Sequence, residues 1–145
     1  MPSRDIRDAV QKLQDAWPLI LKDYEAVRPG FTLQLTCVYR SPEEQLELFK
    51  KGRTLGSDGK WYVLDKNKIV TNADGKTLSP HNYRPARGID VVVIDKSTRQ
   101  QTWNEKQYQP LIAIAANHDL ESGGTWKTIK DWPHIQVKDY KNYEA

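Results

Sequence analysis

Apolar positions along the first part of the chain recur at helical spacing. Ile6, Ala9, Val10, Leu13, Trp17, Ile20, Leu21 and Tyr24 fall on one face of a predicted helix over residues 4–27. Pro18 interrupts that pattern, so a kink or a split into two helices is expected there. "RPG" at 28–30 closes the segment, and residues 31–39 read as a strand rich in β-branched and aromatic side chains. A helix follows, with Ser41 as N-cap, Pro42 at its first position, Glu43 and Glu44 in its first turn, and Gly52 past its end.

Residues 53–80 lose this periodicity. Two Asp-Gly turn signals and a short alternating stretch predict a loop carrying a small hairpin at about residues 60–70. A polar excursion of this length in a small domain reads as a binding loop or lid. A strand is predicted at 88–95 and a helix over about 104–118, with Pro110 marking a later start. "ESGGTWKTIKDW" reads as turns and "HIQV" as a short last strand. The order α-β-α-loop-β-α-β is not a regular βαβ alternation. It predicts an α+β fold with a small mixed, mainly antiparallel sheet flanked by helices.

Composition narrows this picture. The chain has 145 residues, enough for one domain with its own core, and 28% charged against 38% hydrophobic residues excludes a disordered class. Five Trp and seven Tyr suit a packed core with a binding surface. The net charge of +3 is compatible with an anionic polymer as partner, but no nucleic-acid-binding signature accompanies it. Cys37 is the single cysteine, which excludes an intrachain disulfide and a thiolate zinc site; in "FTLQLTCVY" it reads as a buried apolar residue. The start lacks the apolar stretch of a signal peptide, and no run approaches the ~18 apolar residues of a membrane span. Synthesis in a cytoplasm without membrane insertion is expected.

Candidate chemistry lies late in the chain. His81 sits at a loop–strand junction in "SPHNYRPARGID", Asp90 opens the strand that follows, and "DWPH" places Asp131 three residues before His134. Two imidazoles and a carboxylate form a common catalytic zinc set, and a free carboxylate beside the metal's water suits proton transfer. Each residue alone has an ordinary reading. A lone histidine is more often structural, Asp90 also fits a strand-end cap, and Asp131 also fits a turn before Pro133. The spacing is not that of the helical H-E-x-x-H motif.

Together, "SPHNYRPARGID" and "DWPH" resemble the S-x-H-(x)n-D and (D/E)-x-x-H motifs of the zinc D-alanyl-D-alanine carboxypeptidase and L-alanyl-D-glutamate endopeptidase family, the VanY-like group with the hedgehog/DD-peptidase fold. "YRSPEEQLELFKKGRT", "VTNADG" and "LESGGTWKTIKDWPH" resemble blocks of its phage endolysin branch, in the same order. The resemblance spans roughly residues 31–137. It implies one Zn2+ held by His81, Asp90 and His134, with Asp131 as general base and acid and Arg40 stabilising the oxyanion. Ser79 would support the ligand loop and Gln45 would orient Arg40 or the substrate. Trp132 would pack beside the zinc site, counted with the substrate-binding residues, or fill the core.

Two departures stand out. An extra Arg-Pro follows "HNY", lengthening the loop between two ligands, and "ESGGTW" stands where endolysins often carry "WGGDW", which bears on substrate fit. His118 matches no ligand position and reads as exposed at a helix C-terminus. Arg84 and Arg87 read as solvated surface, and Trp61 and Tyr62 as cleft lining or hairpin core. The resemblance implies a monomeric, single-domain peptidase without a separate cell-wall-binding domain, cutting the peptidoglycan stem peptide at L-Ala–D-Glu. It would reach the wall from the periplasm after holin release. A D-alanyl-D-alanine carboxypeptidase and a non-catalytic wall-binding domain are the rivals.

Overall fold

The computed structural model describes residues 2–127 and 130–144. Helix α1 (Gln11–Val27) is followed by β1 (Phe31–Cys37), α2 (Pro42–Lys50) and the strands β2 (Arg53–Leu55) and β3 (Trp61–Val63). Then come β4 (Gly88–Asp95), β5 (Gln101–Thr102), α3 (Glu105–Tyr108), α4 (Pro110–Asn117), β6 (Leu120–Ser122) and β7 (His134–Val137). The main sheet has five strands in the order β1-β4-β7-β6, with β5 also on β4; every strand pairing is antiparallel.

Strand alternation divides the two faces of this sheet. Ile89, Val91 and Val93 of β4 and Ile135 and Val137 of β7 join Leu13, Ile20 and Tyr24 of α1 and Leu111 and Ala115 of α4 in one core. Leu13 and Ile20 have no exposed surface, and each such side chain contributes roughly 1.5–3 kcal/mol by burial. Asp90, His134 and Gln136 belong to the opposite set of positions.

Several sequence expectations are corrected here. The first helix starts at Gln11, because Ala9 bridges to Ala86 and the Val10 amide donates to the Ala86 carbonyl at 2.9 Å. It then runs through Pro18 as one helix; its buried face of Leu13, Ala16, Ile20 and Tyr24 outweighs the hydrogen bond that proline removes. The hairpin is β2–β3, residues 53–63, rather than 60–70. Its turn centres on Asp58-Gly59, where Gly59 has φ +80° and Asp58 accepts from the Lys60 amide. The 104–118 helix is divided, since Pro110 starts a new helix after Tyr108. Leu120–Ser122 is a strand, too short and polar to stand out, that exists by pairing with β7. By contrast, α2 has its predicted start: Ser41 and Glu44 form a reciprocal capping box, at 3.1 and 3.0 Å.

Cys37 is buried on its strand as expected, but on a face that alternation alone would not give it. Simple alternation places it with Leu33 and Leu35 on the core face. A bulge between Leu35 and Cys37 sets two β1 residues against one of β4, so Cys37 pairs with Asp90 and turns to the opposite face.

Candidate active site

Asp90 and His134 are register partners on β4 and β7. Backbone pairing therefore brings their side chains together, with His134 Nδ1 2.9 Å from Asp90 Oδ1. His81 arrives from a single 3-10 turn, Pro80–Asn82, closed by the Asn82 side chain accepting from the Ser79 amide at 2.9 Å. Its Nε2 lies 3.1 Å from the same Asp90 oxygen. Gly88 makes room for both: a Cβ there would stand 2.8 Å from Pro80 and 2.9 Å from the His134 ring.

The far nitrogens of the two rings decide what the near ones can do. His81 Nδ1 is 2.9 Å from the Val38 carbonyl, which only accepts, so Nδ1 carries the hydrogen and Nε2 a lone pair. That buried Nε2 has no hydrogen bond among the described residues. His134 Nε2 donates to Gln136 Oε1 at 2.7 Å, which leaves its Nδ1 as a lone pair too. Two lone pairs and a carboxylate converging on one point repel each other unless a cation sits between them. The set fits a divalent metal with imidazole and carboxylate ligands. In its absence a proton is the substitute. Burial alone opposes charge on His81, but the facing Asp90 outweighs it and raises the His81 pKa well above its ordinary value. Asp90 is correspondingly held below the usual carboxylate range: burial opposes this, and the His81 charge with the His134 and His81 hydrogen bonds overcomes it. Cys37 lies beside this set: its Sγ is 3.6 Å from His81 Nδ1, and Sγ, a His81 nitrogen and an Asp90 oxygen lie within 4.8 Å of one another.

Asp131 completes the group. One oxygen of Asp131, one of Asp90 and a nitrogen of His134 lie within 4.8 Å of one another. Burial, and then the Asp90 charge, push the Asp131 pKa up. Its turn is tied by the His134 amide donating to the Asp131 carbonyl at 3.1 Å and the Asp131 amide donating to the Gly123 carbonyl at 3.0 Å. The glycine pair of "ESGGTW" is there for space. A Cβ on Gly123 would meet the Asp131 carbonyl at 2.2 Å, and one on Gly124 would meet the Trp132 ring at 2.8 Å. Across the cleft, the Arg40 amide donates to the His81 carbonyl and the Arg40 carbonyl accepts from Asn82, both at 2.9 Å. Arg40 Nη1 donates to Gln45 Oε1 at 3.1 Å, while its buried Nε has no partner among the described residues.

Comparisons with known proteins agree with this geometry. A family model described as D-alanyl-D-alanine carboxypeptidase matches residues 73–137, which contain His81, Asp90, Asp131 and His134. The peptidoglycan L-alanyl-D-glutamate endopeptidase CwlK of Bacillus subtilis (strain 168) is 30% identical over 137 residues, covering 85% of this chain and 74% of the relative. The chain belongs to this metallopeptidase family. The crystal structure of the L-Ala D-Glu endopeptidase ChiX of Serratia marcescens has the same fold, with a TM-score of 0.54 at 16% identity over 95% of this chain and 89% of that one.

The remaining residues of the peptidase fall into place around a cleft of about 490 Å3 lined by the four site residues, Arg40, Gln45, Ser79 and Trp126. Gln45 is buried and ties the far loop, donating to Thr71 Oγ1 at 3.3 Å and the Ala73 carbonyl at 3.1 Å. Ser79 caps the His81 turn, its Oγ 3.5 Å from Gln45 Oε1. Trp132 is not brought to the cleft; it packs against the hydrophobic core and Gly124, with Lys130 over its ring. Trp126 takes the cleft position, its ring 5.2 Å from that of His134. Its place in the "ESGGTW" block, before "DWPH", is the sequence signal for this.

Two surface readings, of His118 and Arg87, are corrected, while Arg84 is exposed as expected and Trp61 takes the second of its two readings. His118 is largely shielded and pairs with Asp23 of α1 at 2.8 Å. Arg87 stacks 3.9 Å over Tyr83 and donates to the Tyr140 carbonyl at 2.7 Å, and Arg84 lies over Tyr39. These contacts anchor the lengthened loop to the body of the fold. Trp61 meets Phe49 edge-on at 5.9 Å, so it closes the hairpin against α2, while Tyr62 is half exposed and bonds to Asp58.

Proposed function

We propose that the chain hydrolyses the L-alanyl-D-glutamate bond of the peptidoglycan stem peptide, with one zinc ion held by His81 Nε2, Asp90 and His134 Nδ1. The observation that carries this is the convergence of two lone-pair nitrogens on Asp90, with Asp131 beside them and Arg40 across the cleft. Zinc, when bound, supplies a Lewis acid and lowers the pKa of water towards ~7. Asp131 accepts the proton of the attacking water and returns it to the leaving amine. Its raised pKa makes it a stronger base than an exposed aspartate and a usable acid in the second step. Arg40, aimed by Gln45, faces the carbonyl oxygen as negative charge develops there. Trp126, Val70, Thr71 and Ala73 line the cleft beside the reacting groups.

The similarity to an L-alanyl-D-glutamate endopeptidase over most of the chain supports this bond. The description of the matching family model favours a second reading, removal of a terminal D-alanine. Mass spectrometry of purified muropeptides digested with and without chelator tests both. The expected products are free L-Ala-terminated glycan and peptides beginning at D-Glu, absent with chelator. Release of free D-Ala would replace the first reading by the second. The endolysin-like "YRSPEEQLELFKKGRT" block supports action as a monomeric phage lysis enzyme admitted to the wall by a holin. None of the described helices is long and apolar enough to cross a membrane.

A further inference from the structure

We infer that Gln136 and Glu121 set the tautomer of His134 and so decide whether that ring can receive a metal. Gln136 is on this reading a positioning residue, and the inference rests on the assignment of His134 as a ligand made above. The β6–β7 register pairs Glu121 with Gln136. Strand alternation puts Gln136, two residues on, beside His134, with exposures of 5% and 2%. Gln136 Nε2 donates to Glu121 Oε2 at 2.9 Å. A carboxylate only accepts, so the amide must turn its NH2 to Glu121 and its oxygen to His134. That oxygen, 2.7 Å from Nε2, also only accepts, so the single hydrogen of the neutral ring sits on Nε2. Nδ1 is left as a lone pair facing Asp90.

The reversed amide would have the opposite result. Its oxygen would face the Glu121 carboxylate, which repels it, and its NH2 would demand a lone pair on Nε2. The ring hydrogen would then stand on Nδ1 and satisfy Asp90 without any metal. Glu121 thus selects the metal-ready form from a distance, through one amide. His81 needs no such device, because a backbone carbonyl fixes its tautomer. Partners of this kind behind a metal-binding histidine typically change affinity 10- to 100-fold when removed.

The test uses the full chain stripped of metal, with two readouts. Zinc affinity is measured by competition with a chromophoric chelator, and the His134 tautomer by 15N–1H correlation of the metal-free protein. Wild type is expected to show the Nε2–H form. Gln136→Met should lose about 10- to 100-fold in zinc affinity and shift the ring towards Nδ1–H. Glu121→Gln should produce a smaller loss in the same direction. The double variant Glu121→Gln, Gln136→Glu keeps an acceptor for His134 and a donor behind it, and should keep both zinc affinity and the Nε2–H form; loss of that form there would count against the inference. Wild-type affinity and tautomer in Gln136→Met overturn the inference. If that variant does not fold, the same result in Glu121→Gln, which changes only the partly exposed end, overturns it instead. Absence of zinc binding by wild type would sink the ligand assignment itself, and the tautomer shift between wild type and Glu121→Gln would still decide the role of Gln136.

Discussion

The two walls of the cleft are built by different means. On one wall, Asp90 and His134 stand on paired strands, and the backbone ladder sets their separation. On the other, the Arg40 guanidinium and the loop at 71–73 are held by side chains. Gln45 bonds to Arg40, Thr71 and Ala73, and Arg53 bonds to the Phe49 and Thr71 carbonyls at 2.7 and 2.8 Å and to Asn72 at 3.0 Å. A ladder shares its load over many bonds. The second wall depends on two side chains. The candidate ligands Asp90 and His134 stand on the laddered wall, and the Arg40 guanidinium on the wall held by side chains.

Removing the side chain that the Pro80–Asn82 turn brings to the first wall should have the largest effect. His81→Ala removes one of the lone pairs, and is expected to lose bound zinc and all measurable hydrolysis, read by metal analysis and muropeptide digestion. Asp131→Asn leaves the ligand set intact. It should keep zinc at about one per chain while kcat falls about 10²- to 10⁴-fold; loss of zinc instead would make Asp131 a ligand.

Gly88→Ala tests how tightly the sheet wall is packed. The new methyl meets both the His81 turn and the His134 ring, so overpacking should cost about 1–3 kcal/mol in urea denaturation and weaken zinc binding. On the loop wall, Gln45→Leu strands the Ala73 carbonyl and frees Arg40. A stability loss of about 1–3 kcal/mol with kcat reduced and zinc retained is expected. Zinc loss in this variant would erase the distinction between the walls.

Asp119→Asn, far from both walls, should do least. Asp119 bonds to Lys12 of α1 and Lys138 beyond β7, which hold its pKa at about 2, below its ordinary value. A carboxylate lowered on folding stabilises above its unfolded pKa, and that contribution disappears as pH falls through the folded value. The difference from wild type should therefore be present near neutral pH, shrink from about pH 4 downwards and vanish near pH 2. Added salt should shrink it too, because every member is at or near the surface.

Much of the site was legible because it is written in contiguous motifs. "SPHNY" and "DWPH" each carry a candidate ligand together with the local turn that presents it, and Ser41 announces α2 by its cap. The supporting residues were not legible in the same way. Gln136 looks like any polar strand residue until β6 is beside it, and β6 itself is three residues with no periodicity to reveal it. Trp132 lies inside the "DWPH" motif and Trp126 before it, yet only the Gly124 contact shows that Trp132 is the one folded inwards.

Local chemistry alone thus determined the principal helices and strands, the α2 cap, the candidate ligands and the family resemblance, since these depend on neighbours in the chain. Tertiary structure decided the rest. The bulge that turns Cys37 towards His81, the hydrogens that leave two lone pairs facing Asp90, and the split between a laddered wall and a side-chain-held wall all depend on pairing between distant segments. Which face a strand residue occupies, and which nitrogen of a histidine bears its proton, are set by the partner across the sheet.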